Sequence, residues 1–249
     1  MPKISLDMPN ELLDDLKLHV GDEHKFVSVA DAIRTACRKM LDQLDEVDLR
    51  HGRTKGECNM VSESEAQQAI STILEYIEPG QSNREGLVDT PSRVVNSWKE
   101  IFSGYAEDPA EVLSSTFNAE DYDGIVLLRD IEFHSTCEHH LQPFTGRAHI
   151  AYIPIERIVG ISKLARIVDL HARRLQNQER ITKGIADDLE QHLNPLGAAV
   201  IIEASHGCMK CRGVKKQNSI MTTSAMRGVF FDKNEARAEL MQLIQSPPL

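Results

Sequence analysis

The 249-residue chain lacks any run of about 18 apolar residues, so we expect no transmembrane helix. Its first residues, 1–7, lack the apolar core of a signal peptide. Its five cysteines are odd in number and lack the spacing of a disulfide framework, which indicates reduced thiols. Together these absences predict a cytoplasmic protein.

Net positive charge, a glycine-rich phosphate loop and internal repeats are also missing. The formal net charge of −10 disfavours general affinity for nucleic acid, although a local basic cluster could still hold phosphates. Strand patterns alternate with pairs of helical patterns, which favours an α+β fold with an antiparallel sheet. The hydrophobic content of 41% is enough for one large domain, or for a medium domain with a small appendage.

The first 47 residues resemble a separate module. Residues 3–8 alternate as a short strand, and two helical patterns follow. This order, with residues 26–34 (FVSVADAIR), resembles the ribbon-helix-helix family, whose members pair their strands as dimers and can insert them into the DNA major groove. The outward strand residues here are Lys3, Ser5 and Asp7. Residues 1–50 hold seven Lys/Arg against eleven Asp/Glu, which favours a dimerising role but leaves DNA contact open.

A charged, Gly-containing segment without apolar periodicity, residues 48–63, predicts a linker to a larger domain at residues 64–249. In that domain, the patterns predict a helix from about Ser64 and another with Thr90 as its N-cap. Further strands are predicted near 125–134, 144–153, 198–206 and 228–231, with helices from Gly160, at 177–193 and at 234–244.

Soft metal ligands gather in two short segments, residues 135–140 (STCEHH) and 205–212 (SHGCMKCR). The pair Cys137-x-x-His140 supplies two ligands, and one thiolate from the second segment would complete the three-ligand pattern of a catalytic zinc. If the chain stayed extended beyond His206, Cys208 would keep the parity of that strand and reach the same site. Cys208-x-x-Cys211 also fits a zinc or redox pair of its own, which the spacing leaves open.

Cationic side chains concentrate in one part of this acidic chain, at Lys163, Arg166, Arg173, Arg174, Arg180, Lys210, Arg212, Lys215 and Lys216. A solvated surface is one interpretation; beside a metal cluster we favour a grip on a polyphosphate. Lys163 and Arg166 are three residues apart and share a helix face. Gln178 and Glu179 place an amide beside a carboxylate, and a carboxylate can accept two N–H bonds from the N1 and 2-amino edge of guanine.

From residue 64 onwards, these motifs resemble the GTP cyclohydrolase I family. Besides the two ligand segments, the matching stretches are 90–93 (TPSR), 160–166 (GISKLAR) and 176–180 (QNQER). The resemblance implies the tunnelling fold, whose sheets join into an oligomeric barrel, with a decamer that has its active sites between subunits. It also implies conversion of GTP to 7,8-dihydroneopterin triphosphate and formate, the first step of folate and pterin synthesis or of a deazaguanine pathway.

The resemblance assigns a role to each matched residue. Zinc would be bound by Cys137, His140 and Cys208, while His206 would protonate the opening ring with help from His139. The substrate would be held by Gln178 and Glu179 at guanine and by Lys163, Arg166, Arg212 and a neighbouring subunit's Arg93 at the triphosphate. Ser162 would be a third catalytic residue, near the ribose, in the later Amadori rearrangement and ring closure.

Two features depart from the family pattern, Cys211 and the N-terminal module. The alternative hypothesis is therefore a ribbon-helix-helix DNA-binding regulator on a cyclohydrolase scaffold.

Overall fold

The computed structural model describes residues 61–247 and, before them, only positions 14, 17, 18, 20, 29, 32 and 33. The predicted ribbon-helix-helix module at residues 1–47 and residues 48–60 of the predicted linker lie outside the described residues, so both stay predictions. The chain divides into the units Met1–Met60 and Val61–Leu249, and every predicted site residue belongs to the second unit. No helix among the described residues is long and apolar enough to cross a membrane.

Three helices open the second unit: α1 (Glu63–Ile77), α2 (Thr90–Ile101) and α3 (Pro109–Leu113), with a 3₁₀ turn at Ser103–Ala106. A capping box starts α1, because the Ser62 side chain accepts from the Glu65 N–H while Glu65 reaches back to the Ser62 N–H. The predicted N-cap of α2 was wrong by one position. Asp89 is the N-cap and Thr90 is already helical, with Pro91 in the first turn, where its missing N–H costs nothing.

Within residues 61–247 the strands form a five-stranded sheet in the order β5-β2-β3-β6-β7 and a two-stranded sheet of β1 and β4. The strands are β1 (Thr116–Asn118), β2 (Val126–Cys137), β3 (Pro143–Ile153), β4 (Arg157–Val159), β5 (Leu175–Gln176), β6 (Gly197–His206) and β7 (Met221–Gly228). All pairings are antiparallel except that of β2 with β5. The predicted α+β class with an antiparallel sheet is confirmed.

Two amphipathic helices, α4 (Ile161–Ala172) and α5 (Gln178–Leu193), cover one face of the sheet. Their apolar stripes, including Ile167 and Ile185, pack with no exposure against alternate residues of β3 and β6, such as Ile150 and Val200. Each fully buried aliphatic side chain of this kind contributes about 1.5–3 kcal/mol to folding. This core is the rigid support for the loops at the ends of β2 and β6.

The chain closes with three short elements, α6 (Gly207–Lys210), α7 (Val229–Asp232) and α8 (Asn234–Gln245). The strand predicted at 228–231 was wrong, because β7 ends at Gly228 and a helical turn begins at Val229. Gly228 adopts a φ of +54°, which breaks the extended path. Of the apolar residues after it, Phe230 is fully buried beside Leu240, whereas Phe231 is exposed.

Candidate functional site

The first ligand segment lies where β2 ends and the chain turns into β3. Cys137 is the last residue of β2, and its side chain is buried. The Cys137 N–H donates to the Gln142 carbonyl at 2.8 Å, and the Leu141 N–H donates to the Cys137 carbonyl at 2.8 Å. These bonds close a tight turn in which His139 and His140 follow Cys137 after only one residue, Glu138, so the side chains of Cys137 and the two histidines are held close together.

The second ligand segment reaches the first by a different path from the predicted one. The strand part of the prediction is confirmed, since β6 ends at His206. Beyond it the chain is helical rather than extended, because α6 spans Gly207–Lys210. The parity argument for Cys208 was therefore wrong, although the helical turn still brings the Cys208 thiol back over the end of β2.

Cys137, His140 and Cys208 offer ligand atoms that all lie within 4.8 Å of one another. Cys137 Sγ and His140 Nδ1 are 3.7 Å apart. Tetrahedral zinc with its usual bond lengths would separate a sulfur and a nitrogen ligand by about 3.6 Å, so the donors and their spacing fit a metal ion. The structure thus brings together the three predicted ligands, and three protein donors leave one position of a tetrahedron for water.

The electrostatics of the two thiols also favour a cation. Burial, and then the neighbouring Cys137 thiol, raise the pKa of Cys208. Two thiolates this close repel each other unless a positive charge lies between them, and a bound metal deprotonates its thiol ligands. Cys211, the extra cysteine, is exposed and its thiol donates to the Gly207 carbonyl at 3.0 Å, so it lies outside the three-ligand group.

Two further histidines border the group and differ in their surroundings. His139 is largely exposed, and its Nδ1 lies 3.8 Å from Cys137 Sγ. His206 is half-buried, and its ring stacks on Phe144 with centroids 4.6 Å apart and an interplanar angle of 9°. Burial lowers the pKa of His206, while the nearby Glu179 carboxylate opposes that effect. Phe144 was not predicted, because only the pairing of β3 with β6 places it opposite His206.

Gln178 lies in the interior beside His206. Its side chain is 1% exposed. Its amide nitrogen lies 3.0 Å from the Ile202 and Met221 carbonyls, and its amide oxygen lies 2.9 Å from His206 Nε2. These contacts hold the side chain within the chain itself, and the predicted contact of Gln178 to guanine stays a prediction. Glu179, the next residue, is exposed and remains available.

Glu138, between two residues of the ligand turn, connects that turn to the start of α5. Its carboxylate accepts from Arg180 at 2.6 and 3.1 Å and from the Asn177 amide at 3.0 Å. The hydrogen bond from Arg180 is the largest cause of the lowered pKa of Glu138. Asn177 is also the N-cap of α5, since its side-chain oxygen accepts from the Arg180 N–H at 2.8 Å. Sequence spacing offered no signal for this connection.

Contacts within the chain leave fewer of the cationic side chains available to bind a polyphosphate. Arg180 binds Glu138, and Arg174 donates to the Gly104 carbonyl at 2.7 and 3.0 Å. Lys163 and Arg166 lie on α4, partly and largely exposed respectively. Arg212 is exposed and lies near enough to Cys208 to lower the pKa of that thiol slightly against the effect of burial. These last three stay candidates for phosphate binding.

The remaining two predicted residues lie on helices away from the ligand turn in sequence. Ser162 is exposed in the first turn of α4. Arg93 is exposed on α2 and pairs with Asp89 at 3.1 Å. The described contacts do not connect either side chain to Cys137, His140 or Cys208, so their predicted roles are untested.

Residues 66–245 match the sequence profile of the family described as GTP cyclohydrolase I. A GTP cyclohydrolase 1 from Wolinella succinogenes is 50% identical over 175 residues, which cover 70% of this chain and 93% of that protein. The chain belongs to the GTP cyclohydrolase I family. A GTP cyclohydrolase 1 from Brucella canis is 47% identical over 184 residues, covering 74% of this chain and 86% of that protein. The α+β architecture is accordingly that of the family's tunnelling fold.

The GTP cyclohydrolase I match includes every predicted site residue, from Arg93 to Arg212, and leaves residues 1–65 outside. Among solved structures, an archaeosine synthase QueF-Like in the apo form shares 16% identity at a TM-score of 0.35, covering 42% of this chain and 93% of that one. This likeness is too slight to support an inference. None of these similarities supports the alternative of a DNA-binding regulator.

Proposed function

We propose that this chain hydrolyses and rearranges GTP to 7,8-dihydroneopterin triphosphate with release of formate. One observation carries the proposal. In a chain of the GTP cyclohydrolase I family, Cys137, His140 and Cys208 converge within 4.8 Å, and His206 lies two residues from the last ligand. A metal held by such donors would activate water, and an imidazole beside it can transfer protons. This combination is suited to the hydrolysis of a purine ring.

Zinc is the metal that we propose for this site. Two thiolates and one imidazole are a donor set that tetrahedral zinc prefers. When bound, zinc supplies a Lewis acid that activates water near neutral pH. The chain itself holds the donors on two rigid supports, the turn after β2 and the single turn of α6.

Proton transfer is assigned to the two bordering histidines. His206 would give a proton to the imidazole-ring nitrogen of guanine as the ring opens, and His139 would assist from the exposed side. An imidazole suits this task because its unperturbed pKa of about 6.5 lies near the operating pH. The stacking of His206 on Phe144 limits rotation of its ring, which supports a directed proton transfer.

Substrate binding is assigned to the exposed polar side chains around the metal ligands. The Glu179 carboxylate would accept the N1–H and 2-amino hydrogens of guanine, which specifies guanine over adenine. Ser162 would lie near the ribose. The triphosphate would be held by Lys163, Arg166, Arg212 and a neighbouring subunit's Arg93, all of which carry exposed or partly exposed cations.

We further propose a homo-oligomer, a decamer as in the family pattern, with the active sites between subunits. The odd number of cysteines without framework spacing supports a reducing compartment, the cytoplasm. The product would enter folate and pterin synthesis or a deazaguanine pathway, since the first step of each is the same.

The direct test measures GTP turnover and metal content on the same purified protein. We expect formate and a pterin absorbance from GTP, with about one zinc ion per subunit. Cys208→Ala removes one of three ligands and should abolish both zinc binding and turnover. Cys211→Ala is the matched control, because its thiol lies three residues away and outside the ligand group, and it should retain both. Zinc without turnover in the wild type would refute the proposed activity.

A further inference from the structure

The buried amide of Gln178 has a defined orientation. Its nitrogen lies 3.0 Å from the carbonyl oxygens of Ile202 and Met221. Carbonyl oxygens can only accept hydrogen bonds, so the NH₂ group must face them and the amide oxygen must face the opposite side. That oxygen is the atom that lies 2.9 Å from His206 Nε2.

Two threonine hydroxyls fix the same orientation independently. Thr182 Oγ1 donates to the Gln178 backbone carbonyl at 2.8 Å, which uses its only hydrogen. In the 2.6 Å contact between the two hydroxyls, Thr223 must therefore be the donor. Thr223 Oγ1 then accepts from the Gln178 amide nitrogen at 3.0 Å. The Gln178 amide nitrogen thus faces three acceptor oxygens, which its two hydrogens share, so only this orientation of the amide satisfies the buried network.

The network determines which nitrogen of His206 carries hydrogen. Because the Gln178 amide oxygen only accepts, His206 Nε2 must be protonated. Phe144 covers one face of the ring at a centroid distance of 4.6 Å, so the imidazole plane is held as well. Nδ1 is the second nitrogen, and no hydrogen bond to it from the described residues is present.

We infer that Gln178 is a positioning residue that holds His206 with hydrogen on Nε2, so that His206 Nδ1 is the atom that exchanges a proton with the guanine ring. This inference rests on the proposed function. The proton leaves Nδ1 of the imidazolium for the ring nitrogen of guanine, and the imidazole that remains is neutral and keeps its hydrogen on Nε2. Guanine recognition then falls to Glu179 and not to Gln178.

The variant Gln178→Met tests this assignment, because it keeps the length and burial of the side chain but removes the acceptor for His206. We expect kcat to fall about 100-fold, the lower end of what a positioned proton donor contributes. GTP binding should be unchanged within about twofold, measured by calorimetry on metal-free protein, where no turnover occurs. Retained kcat with GTP binding weakened about tenfold or more would overturn the inference, since that pattern belongs to a substrate contact.

Gln176→Met is the matched control. Gln176 is a buried glutamine two residues earlier, at 3% exposure. Its amide nitrogen donates to the His171 carbonyl, its amide oxygen makes only a long 3.4 Å contact with Arg180, and neither atom contacts a site histidine. Its loss should lower thermal stability while kcat stays within a few-fold of wild type. An equal loss of kcat in both variants would show a general packing effect and overturn the inference.

Neutron diffraction on the wild-type, metal-loaded protein above pH 8 gives a second test that needs no variant to fold. We expect a hydrogen on His206 Nε2 and none on Nδ1, and the reverse would overturn the inference. This readout is independent of turnover. If wild-type protein released no formate from GTP, the proposed function would fail, whereas the hydrogen position would still decide the role of Gln178.

Discussion

Three histidines within the site differ because of their neighbours. His140 is a predicted metal ligand, with Nδ1 3.7 Å from Cys137 Sγ. His139, the residue before it, is also exposed and its Nδ1 lies 3.8 Å from the same sulfur, but it lies outside the three-ligand group. His206 has one ring face covered by Phe144 and one nitrogen held by Gln178. The three identical side chains therefore differ in the contacts that surround them.

Two glycines with positive φ permit a prediction at the residue scale. Gly228, at φ +54°, has no room for a Cβ, which would lie 2.3 Å from the Leu196 carbonyl oxygen. Gly213, at φ +61°, has open space around it, since a Cβ there would meet no atom within 4 Å beyond its chain neighbours. Gly213→Ala should cost about 1 kcal/mol from backbone strain alone. Gly228→Ala should cost at least about 2 kcal/mol more, because the carbonyl must also move.

Thermal unfolding of the two variants side by side measures this difference. For a domain of this size, about 1 kcal/mol corresponds to a change in Tm of about 2–4 °C. Equal Tm values for the two variants would show that the end of β7 relaxes around a methyl group, contrary to the prediction.

At the scale of elements, the turn after β2 and the first turn of α5 behave as one unit. The side-chain oxygen of Asn177 caps α5, and its amide nitrogen donates to the Glu138 carboxylate. Arg180, one turn further along α5, donates to the same carboxylate. The Glu138 N–H also donates to the Gln176 carbonyl at 3.0 Å. The residues that would read guanine and those that would bind metal are thus connected through Glu138.

Replacing Arg180 should weaken zinc binding, although Arg180 is not itself a predicted metal ligand. In Arg180→Met, Glu138 loses both hydrogen bonds from the guanidinium, and we expect zinc affinity to fall about tenfold or more, as is usual when a supporting partner of a ligand is lost. The measurement is competition with a chromophoric zinc chelator. Lys183→Met is the control, because Lys183 lies on the same helix and pairs with Asp187 in an exposed contact of little energetic weight.

Unchanged zinc affinity in Arg180→Met would mean that the backbone bonds of the turn hold the ligands alone. A loss of equal size in Lys183→Met would point to a general electrostatic effect of α5 and not to the link through Glu138.

At the scale of the whole molecule, part of the apolar surface is free to meet a partner. On α1, Ile73, Tyr76 and Ile77 are 50%, 86% and 68% exposed. They recur at the spacing of one helix face, and clustered apolar exposure of this kind is typical of an assembly surface. This pattern supports the proposed homo-oligomer, in which a neighbouring subunit would contribute Arg93.

Mixed oligomers test whether Arg93 acts across subunits. Arg93→Ala and His206→Asn should each lower turnover at least tenfold when assembled alone. In oligomers that contain both variants equally, about a quarter of the sites would combine an intact Arg93 from one subunit with an intact His206 from the next. We therefore expect turnover to recover to about a quarter of wild type.

Co-expression with two different affinity tags, followed by purification on both, provides these mixed oligomers. Turnover that stays at the level of the single variants would contradict the prediction, because a site that uses its own Arg93 always carries one substitution in such a mixture.

The sequence by itself determined the main elements and the candidate metal ligands. Apolar periodicity located α4, α5, β3 and β6, since burial of one face imposes a 3.6- or two-residue repeat that local sequence carries. Metal ligands are also visible locally, because soft donors such as Cys137, His140 and Cys208 are rare and occur in close pairs. The family motifs then identified the chemistry without any knowledge of distances.

Only the tertiary structure decided which contacts those residues make with each other. The buried contacts of Gln178 depend on the fold, because its partners Ile202, Met221 and Thr223 belong to strands that pair far along the chain. Phe144 meets His206, and Glu138 meets Arg180, through contacts between residues 62 and 42 positions apart. Local sequence records which groups a segment offers, but a hydrogen bond also needs its partner at about 3 Å, and folding sets that distance.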